Sequence, residues 1–245
     1  MAVYDSIAEQ YQKNIGLPPR QYAEPETYFH ALGDLSGKSI LDLACGEGLY
    51  TREFKREGAT RVVGVDISEK MIELALQEER AAPLGIEYIV RDALELGEIG
   101  KFDRVVASYL LNYSRTREKL SRMCQNISLN LKAGGRFVTL NNNNNQSPDF
   151  CPKLVKYGYT ISIPSPLMEG APITITQKME GQAEVSFDNY YLSNATYESV
   201  FREVGFKEIL WHPIRISPEG IRKFGQEYWE DFLESPTFAC IECVK

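Results

Sequence analysis

The chain has 245 residues, 43% of them hydrophobic and 25% charged, which is enough to bury a core and excludes a disordered tail. Lys and Arg number 27 against 34 Asp and Glu, a net charge of −7 that disfavours a protein built to grip nucleic-acid phosphates and leaves a cationic small ligand open. With no run of about 18 apolar residues to cross a membrane, and no signal-peptide pattern in Met1-Ala2-Val3-Tyr4-Asp5, the expectation is a cytoplasmic protein whose five cysteines are thiols.

Tyr4, Ile7, Ala8 and Tyr11 have helical spacing and predict a docked amphipathic helix at the front. Ser39 to Leu43 is a short apolar run. Leu49 to Glu57 reads as a helix that stops at Gly58. Arg61 to Val65 is a second apolar run, ended by Asp66. Ser68 caps the next helix, which carries Met71, Leu74 and Ala75 on one face and ends before Pro83. Ile86 to Val90 is a third strand and Asp103 to Ser108 a fourth. Leu120, Met123, Cys124, Ile127 and Leu131 mark an amphipathic helix stopped by Gly134-Gly135, and Arg136 to Leu140 is a fifth strand. Such alternation predicts βαβ units and a mainly parallel sheet with helices on both faces.

After Leu140 the pattern changes. Asn141 to Asn145 reads as a loop. Prolines then accompany alternating stretches at Ile173, Ile175, Val185 and Phe187, so about 142–192 is expected to be an inserted β-rich lobe. Thr196 to Val204 is a helix, Phe206 to Trp211 a strand, Pro218 to Phe232 a helix and Thr237 to Val244 a final strand. The whole, 1–245, is expected to be one α/β domain with about 1–35 as an N-terminal helical cover.

Ligands of such sheets sit outside the carboxyl ends of the strands. Asp42-Leu43-Ala44-Cys45-Gly46-Glu47-Gly48 leaves the first strand there, and its small residues let the backbone approach a ligand closely. Asp66 ends the second strand, at the spacing where an acid accepts hydrogen bonds from ribose hydroxyls. Together these predict an adenosine-containing cofactor. A tight turn beside an acid preceding a helix is the reading without a ligand. Three features separate S-adenosylmethionine from NAD. Thr51 stands where the dinucleotide fingerprint needs a third small residue; Asp42 suits a cofactor carrying an ammonium; and Asp92-Ala93, after the third strand, is placed for the adenine edge. No G-K-[ST] comes after the glycines, so a Walker loop is excluded.

Ile40 to Gly48, Val63 to Ser68, Arg91-Asp92-Ala93 and Leu131 to Gly135 resemble the motif series of class I S-adenosylmethionine-dependent methyltransferases. Tyr4 to Tyr11 resembles the N-terminal motif of their small-molecule branch. Nearly end to end, the chain is similar to toxoflavin synthase-like methyltransferases, including at Ala107 to Tyr113 and Asp188 to Ser193. The resemblance implies a Rossmann-like sheet of seven strands with the last antiparallel. It also implies roles: Gly46 and Gly48 approach the cofactor, Asp66 takes the ribose, Asp92 and Ala93 meet adenine, Ile67 and Met71 flank its ring, Ser108 meets the methionine end, and Tyr11 reaches over the cofactor. Ala44 departs from the glycine many members carry, and its methyl is expected to be tolerated only at negative φ.

The substrate class is read from the residues just after the fourth strand. Nucleobase amino methyltransferases often carry Asn or Asp, Pro, Pro and an aromatic there; this chain has Ser108-Tyr109-Leu110-Leu111. With the acidic balance, that points to a small-molecule acceptor, enclosed by the lobe and the N-terminal helix so that water is excluded. Tyr109, Tyr113, Tyr157, Tyr159, Tyr190 and Tyr191 are candidates to wall its pocket, or else core aromatics. His212 is a candidate general base, or else a residue packed beside Trp211. Cys240 and Cys243, three apart on a strand, face opposite sides and read as structural. The expected reaction is transfer of a methyl group to a nitrogen of a heteroaromatic or other natural-product metabolite. Tyr11 then shapes the methyl's path, Tyr109 lies beside it, and His212 is the base if one is used. The other readings are O-methylation of a small molecule, a nicotinamide-dependent oxidoreductase, and a cofactor-binding module without catalysis.

Overall fold

The computed structural model describes residues 16–179, 181 and 183–245. β1 (Ser39–Leu43), β2 (Arg61–Asp66), β3 (Glu87–Val90), β4 (Phe102–Ser108) and β5 (Leu131–Asn142) come first, with helices Leu49–Arg56, Glu69–Ala81 and Arg117–Leu129 among them. β6 (Tyr159–Ser162), β7 (Pro172–Gln177) and β8 (Val185–Tyr190) come next, and β9 (Glu208–His212) and β10 (Phe238–Val244) close the order. The large sheet runs β3-β2-β1-β4-β5-β10-β9. Pairing from β3 through β5 is parallel, and β10 is antiparallel to both β5 and β9. This is the expected seven-stranded sheet with its last strand reversed.

The strands read as continuous apolar runs because both faces are covered. Ile40, Val62, Val106, Val138 and Cys240 belong to one core layer. Their neighbours Leu41, Val63, Val105, Phe137 and Cys243 belong to the layer on the other side. Alternation with period two therefore sends Cys240 and Cys243 to opposite faces. Local signals set the helix starts: Ser68 Oγ accepts from Met71 N at 3.2 Å, and Ser193 Oγ accepts from Thr196 N at 3.2 Å. Among the described residues no helix is long and apolar enough to cross a membrane.

Three expectations need correction. The helix Arg117–Leu129 ends at Asn130, whose Nδ2 donates to the Gly97 carbonyl at 2.7 Å, and Gly134-Gly135 lies inside β5. There the glycines shape a bulge: β4 advances from Phe102 to Arg104 while β5 advances from Leu131 to Arg136. Asn141 and Asn142 are strand, not loop, because β10 offers Ala239 and Phe238 as partners. The stretch expected as one helix over 218–232 is broken. Pro218–Phe224 ends at Gly225, with φ 82, and a 3₁₀ turn leads into Glu230–Glu234.

The inserted lobe is a separate antiparallel sheet, β6-β7-β8. Ile173, Ile175, Gln177, Val185 and Asn189 are buried on its inner face. The predicted front helix over Tyr4 to Tyr11, and with it Tyr11, lies outside the described residues. Helices Pro18–Tyr22 and Glu24–Leu32 come after it and pack through Tyr22, Tyr28 and Leu32.

Candidate active site

Strand order reverses between β1 and β4, so a crevice opens at their carboxyl ends. The chain leaving β1 turns sharply. Ala44 has φ 57, Gly46 φ 57 and Gly48 φ 85. Gly48 caps the helix Leu49–Arg56, and its N–H donates to the Cys45 carbonyl at 3.0 Å. Asp66 fastens this turn to the end of β2. Its Oδ2 accepts from Gly46 N at 2.8 Å and its Oδ1 from Ser68 N at 2.9 Å. Beside β3, Asp92 Oδ1 accepts from Leu94 N at 2.8 Å and so starts the short turn Ala93–Glu95. A Cβ on Gly46 would meet nothing within 4 Å, so its bare backbone faces open space.

These ends surround a cavity of about 370 Å³, within the range of small-ligand sites. Ala44, Gly46, Asp66, Ile67, Met71, Asp92, Ala93, Ser108 and Tyr109 all border it. So do Arg91, Leu94, Lys119 and Met123, which sequence reasoning did not single out. Met123 read only as a core position of its helix, because helical spacing does not say which end of a core residue reaches a pocket.

Ala44 corrects an expectation. Its φ is positive, so the methyl is carried in the left-handed region at a cost of roughly 1–2 kcal/mol. Tyr109, with φ 62, is the other such non-glycine among the described residues, and both border the cavity. Backbone strain concentrated at a pocket is the pattern of functional sites. Tyr109 is held there from both ends. Its N–H donates to the Leu140 carbonyl at 2.7 Å, and its Oη donates to Glu24 Oε1 at 2.6 Å.

Asp42 and Gly48 do not border the cavity. Asp42 is buried beneath the turn, where its Oδ2 accepts from Thr51 Oγ1 at 2.6 Å. Burial pushes its carboxyl up to about 7, against the Thr51 hydrogen bond and helped by the nearby Asp66 charge. Thr51 thus has a structural reason to be where a dinucleotide fingerprint needs a small residue. Gly48 is required by its φ and by Tyr88, whose Oη would lie 2.4 Å from an added Cβ.

His212 is not at the cavity either. Ser108, Leu140, Cys240 and His212 lie in one cross-sheet row, so His212 is three strand spacings, roughly 14 Å, from the end of β4. Its Nε2 bonds Glu242 Oε2 at 2.8 Å, and Glu242 also pairs with Arg136. Those partners hold the Glu242 carboxyl below its usual value, against burial. The structure thus places His212 beside the Glu242–Arg136 pair at the far edge of the sheet, away from the cavity.

Among the candidate tyrosines, Tyr109, Tyr113 and Tyr159 reach pockets. Tyr157 does not; it stacks with Trp229 and its hydroxyl bonds the Tyr228 carbonyl. Tyr190 lies under the Arg115 guanidinium at 5.6 Å. Tyr109 and Tyr113 also wall a second, smaller chamber of about 20 Å³ under the β6-β7-β8 sheet.

Residues 40–135 match a family model described as Methyltransferase domain. The matched stretch runs from β1 into β5, so it includes the Gly46 turn, Asp66 and Asp92. Its match to the demethylmenaquinone methyltransferase of Lactococcus lactis is 34% identical and covers 56% of each chain. The ubiquinone biosynthesis O-methyltransferase of Coxiella burnetii is 34% identical over 58% of this chain and 62% of that protein. The chain thus spans little more than half the length of these relatives. The solved fold is shared more widely. An S-adenosylmethionine-dependent methyltransferase from Mesorhizobium loti superposes with TM-score 0.65 at 21% identity, covering 95% of this chain and all of that one. One from Clostridium acetobutylicum gives 0.63 at 17%, covering 100% and 99%. The fold is shared with these solved structures over nearly the whole chain.

Proposed function

We propose that the protein transfers a methyl group from S-adenosylmethionine to a small-molecule acceptor, a nitrogen of a heteroaromatic or other natural-product metabolite. The observation that carries this reading is the joining of the Gly46 turn, Asp66 and Asp92 around one cavity of about 370 Å³. A carboxylate offers about four acceptor positions, so Asp66 takes ribose hydroxyls in addition to the N–H groups it already holds. Asp92 and the Ala93 N–H meet the adenine edge, and Ile67 and Met71 flank its ring. Ser108 meets the methionine end. Asp42, lying behind the turn, acts on the amine only through the turn it supports. Tyr11 keeps the role of reaching over the cofactor. The cofactor supplies an electrophilic methyl: the acceptor–carbon bond forms as the carbon–sulfur bond breaks, with its electron pair left on sulfur.

The residues of the chain have then to orient the acceptor and exclude water. Alignment alone supplies up to roughly 7–11 kcal/mol in well-oriented systems. The net charge of −7 favours a small acceptor over a polynucleotide. The name of the Coxiella burnetii relative favours O-transfer to a quinone-type acceptor as the second reading. A hydroxyl acceptor wants a base as its bond forms, and His212 is badly placed for that. Incubation with methyl-labelled S-adenosylmethionine and a metabolite extract, then mass spectrometry, tests the proposal. Label is expected in a small nitrogen heterocycle. Label in phenolic oxygen supports the second reading, and label in nucleic acid contradicts both.

A further inference from the structure

Two buried hydroxyls meet where the chain leaves β4. Ser108 ends that strand and borders the large cavity. Tyr28 stands on the helix Glu24–Leu32 and is fully buried. Among the described residues, neither Ser108 Oγ nor Tyr28 Oη completes a hydrogen bond. Strand pairing brings the two together. Ser108 is level with Leu140, and Leu140 with Cys240. Alternation puts Ser108 on the same face as Val106. Val106, Leu140 and Cys240 all belong to the core layer that holds Tyr28. Burial pushes the Tyr28 hydroxyl well above its usual value, helped by the Asp42 charge and more weakly by Cys240 and Tyr50, while the Ser108 hydroxyl opposes it. The two oxygens are thus neighbours that stop short of a bond.

Packing does not require the Tyr28 oxygen. Its ring lies edge-on to Tyr50, 5.3 Å between centroids, and to Phe54, 6.0 Å, contacts that a phenylalanine would keep. A buried hydroxyl without a partner bears its full desolvation cost, which calls for a partner gained in another state of the protein. The backbone beside Ser108 is constrained as well. Tyr109 has φ 62, and its N–H is held by the Leu140 carbonyl at 2.7 Å. Unspent hydroxyls and a strained peptide therefore share the end of one strand, at the border of the cavity.

We propose that Tyr28 is a positioning residue for the cofactor, whose hydroxyl closes a hydrogen bond to Ser108 Oγ when the methionine end docks against the end of β4. This rests on the methyl-transfer reading above. Each hydroxyl has one O–H to give and lone pairs to accept, so each supplies the partner that the other lacks. Ser108 Oγ is itself buried, so it works from behind: it ties the end of β4 to the helix Glu24–Leu32, and the cavity side of residue 108 meets the cofactor. Tyr28 does not touch the cofactor and takes no part in the bond changes at the methyl carbon. Its effect is confined to the methionine end, because the ribose and adenine contacts stand at the ends of β2 and β3.

The test is calorimetric titration of the full chain with S-adenosylhomocysteine and, separately, with methylthioadenosine, which keeps adenine, ribose and sulfur but lacks the amino-acid end. Tyr28→Phe removes one oxygen and no ring contact. A net neutral hydrogen bond is a factor of about 2–12 in an equilibrium constant, so Tyr28→Phe is expected to weaken S-adenosylhomocysteine by about that factor. Methylthioadenosine should bind the variant and the wild type equally. The ligand-free variant should melt no lower than wild type, because an unpaired hydroxyl is gone. Ser108→Ala removes the other half of the bond, so it should weaken S-adenosylhomocysteine alike, and the double variant should bind no worse than either single one. Equal weakening of both ligands by Tyr28→Phe marks a general packing effect and overturns the proposal. So does an unchanged affinity for S-adenosylhomocysteine, or additive losses in the double variant. A lower Tm for ligand-free Tyr28→Phe shows a hydroxyl already bonded and overturns it too. Absence of heat with S-adenosylhomocysteine in the wild type overturns the underlying methyl-transfer reading instead.

Discussion

Asp66→Ala separates a structural acid from a ligand-binding one. The carboxylate is 8% exposed and holds two backbone donors, Gly46 N at 2.8 Å and Ser68 N at 2.9 Å. Hydrogen bonds to a charged group contribute about 1.5–3 kcal/mol each, so losing both lowers stability by up to ~6 kcal/mol before water refills the site. Asp66→Asn does not restore both, because its NH₂ faces one of the two N–H groups. If the same carboxylate also takes ribose hydroxyls, binding of S-adenosylhomocysteine falls by a further ~1.5–3 kcal/mol, about 10- to 150-fold in Kd. Urea unfolding monitored by tryptophan fluorescence gives the first quantity, and calorimetry on the folded variant gives the second. A folded Asp66→Ala protein that binds S-adenosylhomocysteine within threefold of wild type would refute the ribose role. The Gly46–Asp66 contact would then be a fold element only.

Asp42 predicts a pH effect. Its folded-state value of about 7 lies above the usual 3.8, so the stability it lends is full below about 3.8 and is lost as pH rises through about 7. Asp42→Asn should therefore raise Tm at pH 8, by the equivalent of up to ~4 kcal/mol, and change little at pH 4. An equal Tm difference at both pH values would contradict a buried carboxyl raised to about 7. Ala44→Gly relieves φ 57 but loosens the unfolded chain, so a net gain of up to ~1 kcal/mol, or about 2–4 °C, is expected by thermal melting. A lower Tm would show that the methyl packs favourably there. His212→Ala removes the 2.8 Å bond to Glu242 and should lower stability by about 1.5–3 kcal/mol. Its kcat with any accepted substrate should stay within threefold of wild type, and abolished turnover with cofactor binding intact would restore His212 as a base.

The parallel sheet was legible because strands buried on both faces leave unbroken apolar runs, as at Val62-Val63-Gly64-Val65, and because Ser68 announces the helix behind it. The turn at Gly46 and Gly48, with Asp66 behind it, was legible because those residue types answer a local backbone need. Other features depend on distant partners. The strand state of Asn141 and Asn142 comes from β10, some hundred residues later. The sign of φ at Ala44 is imposed by the fold against the residue's own preference. Glu24 looks like an ordinary first-turn acid of the helix Glu24–Leu32, and only the fold brings it to Tyr109, 85 residues away. Gln177 and Asn189 carry no signal in alternating strands except that each takes an inward position where an apolar residue is expected. His212 stands at the ligand-side end of its strand but on the far edge of the sheet, a position that only the strand order reveals.

The central claim is that the crevice between β1 and β4 holds S-adenosylmethionine. Isothermal titration of the wild-type chain with S-adenosylhomocysteine and, separately, with NAD tests it most directly. One saturable site for S-adenosylhomocysteine and no heat with NAD is the predicted result; NAD bound and S-adenosylhomocysteine ignored would contradict it.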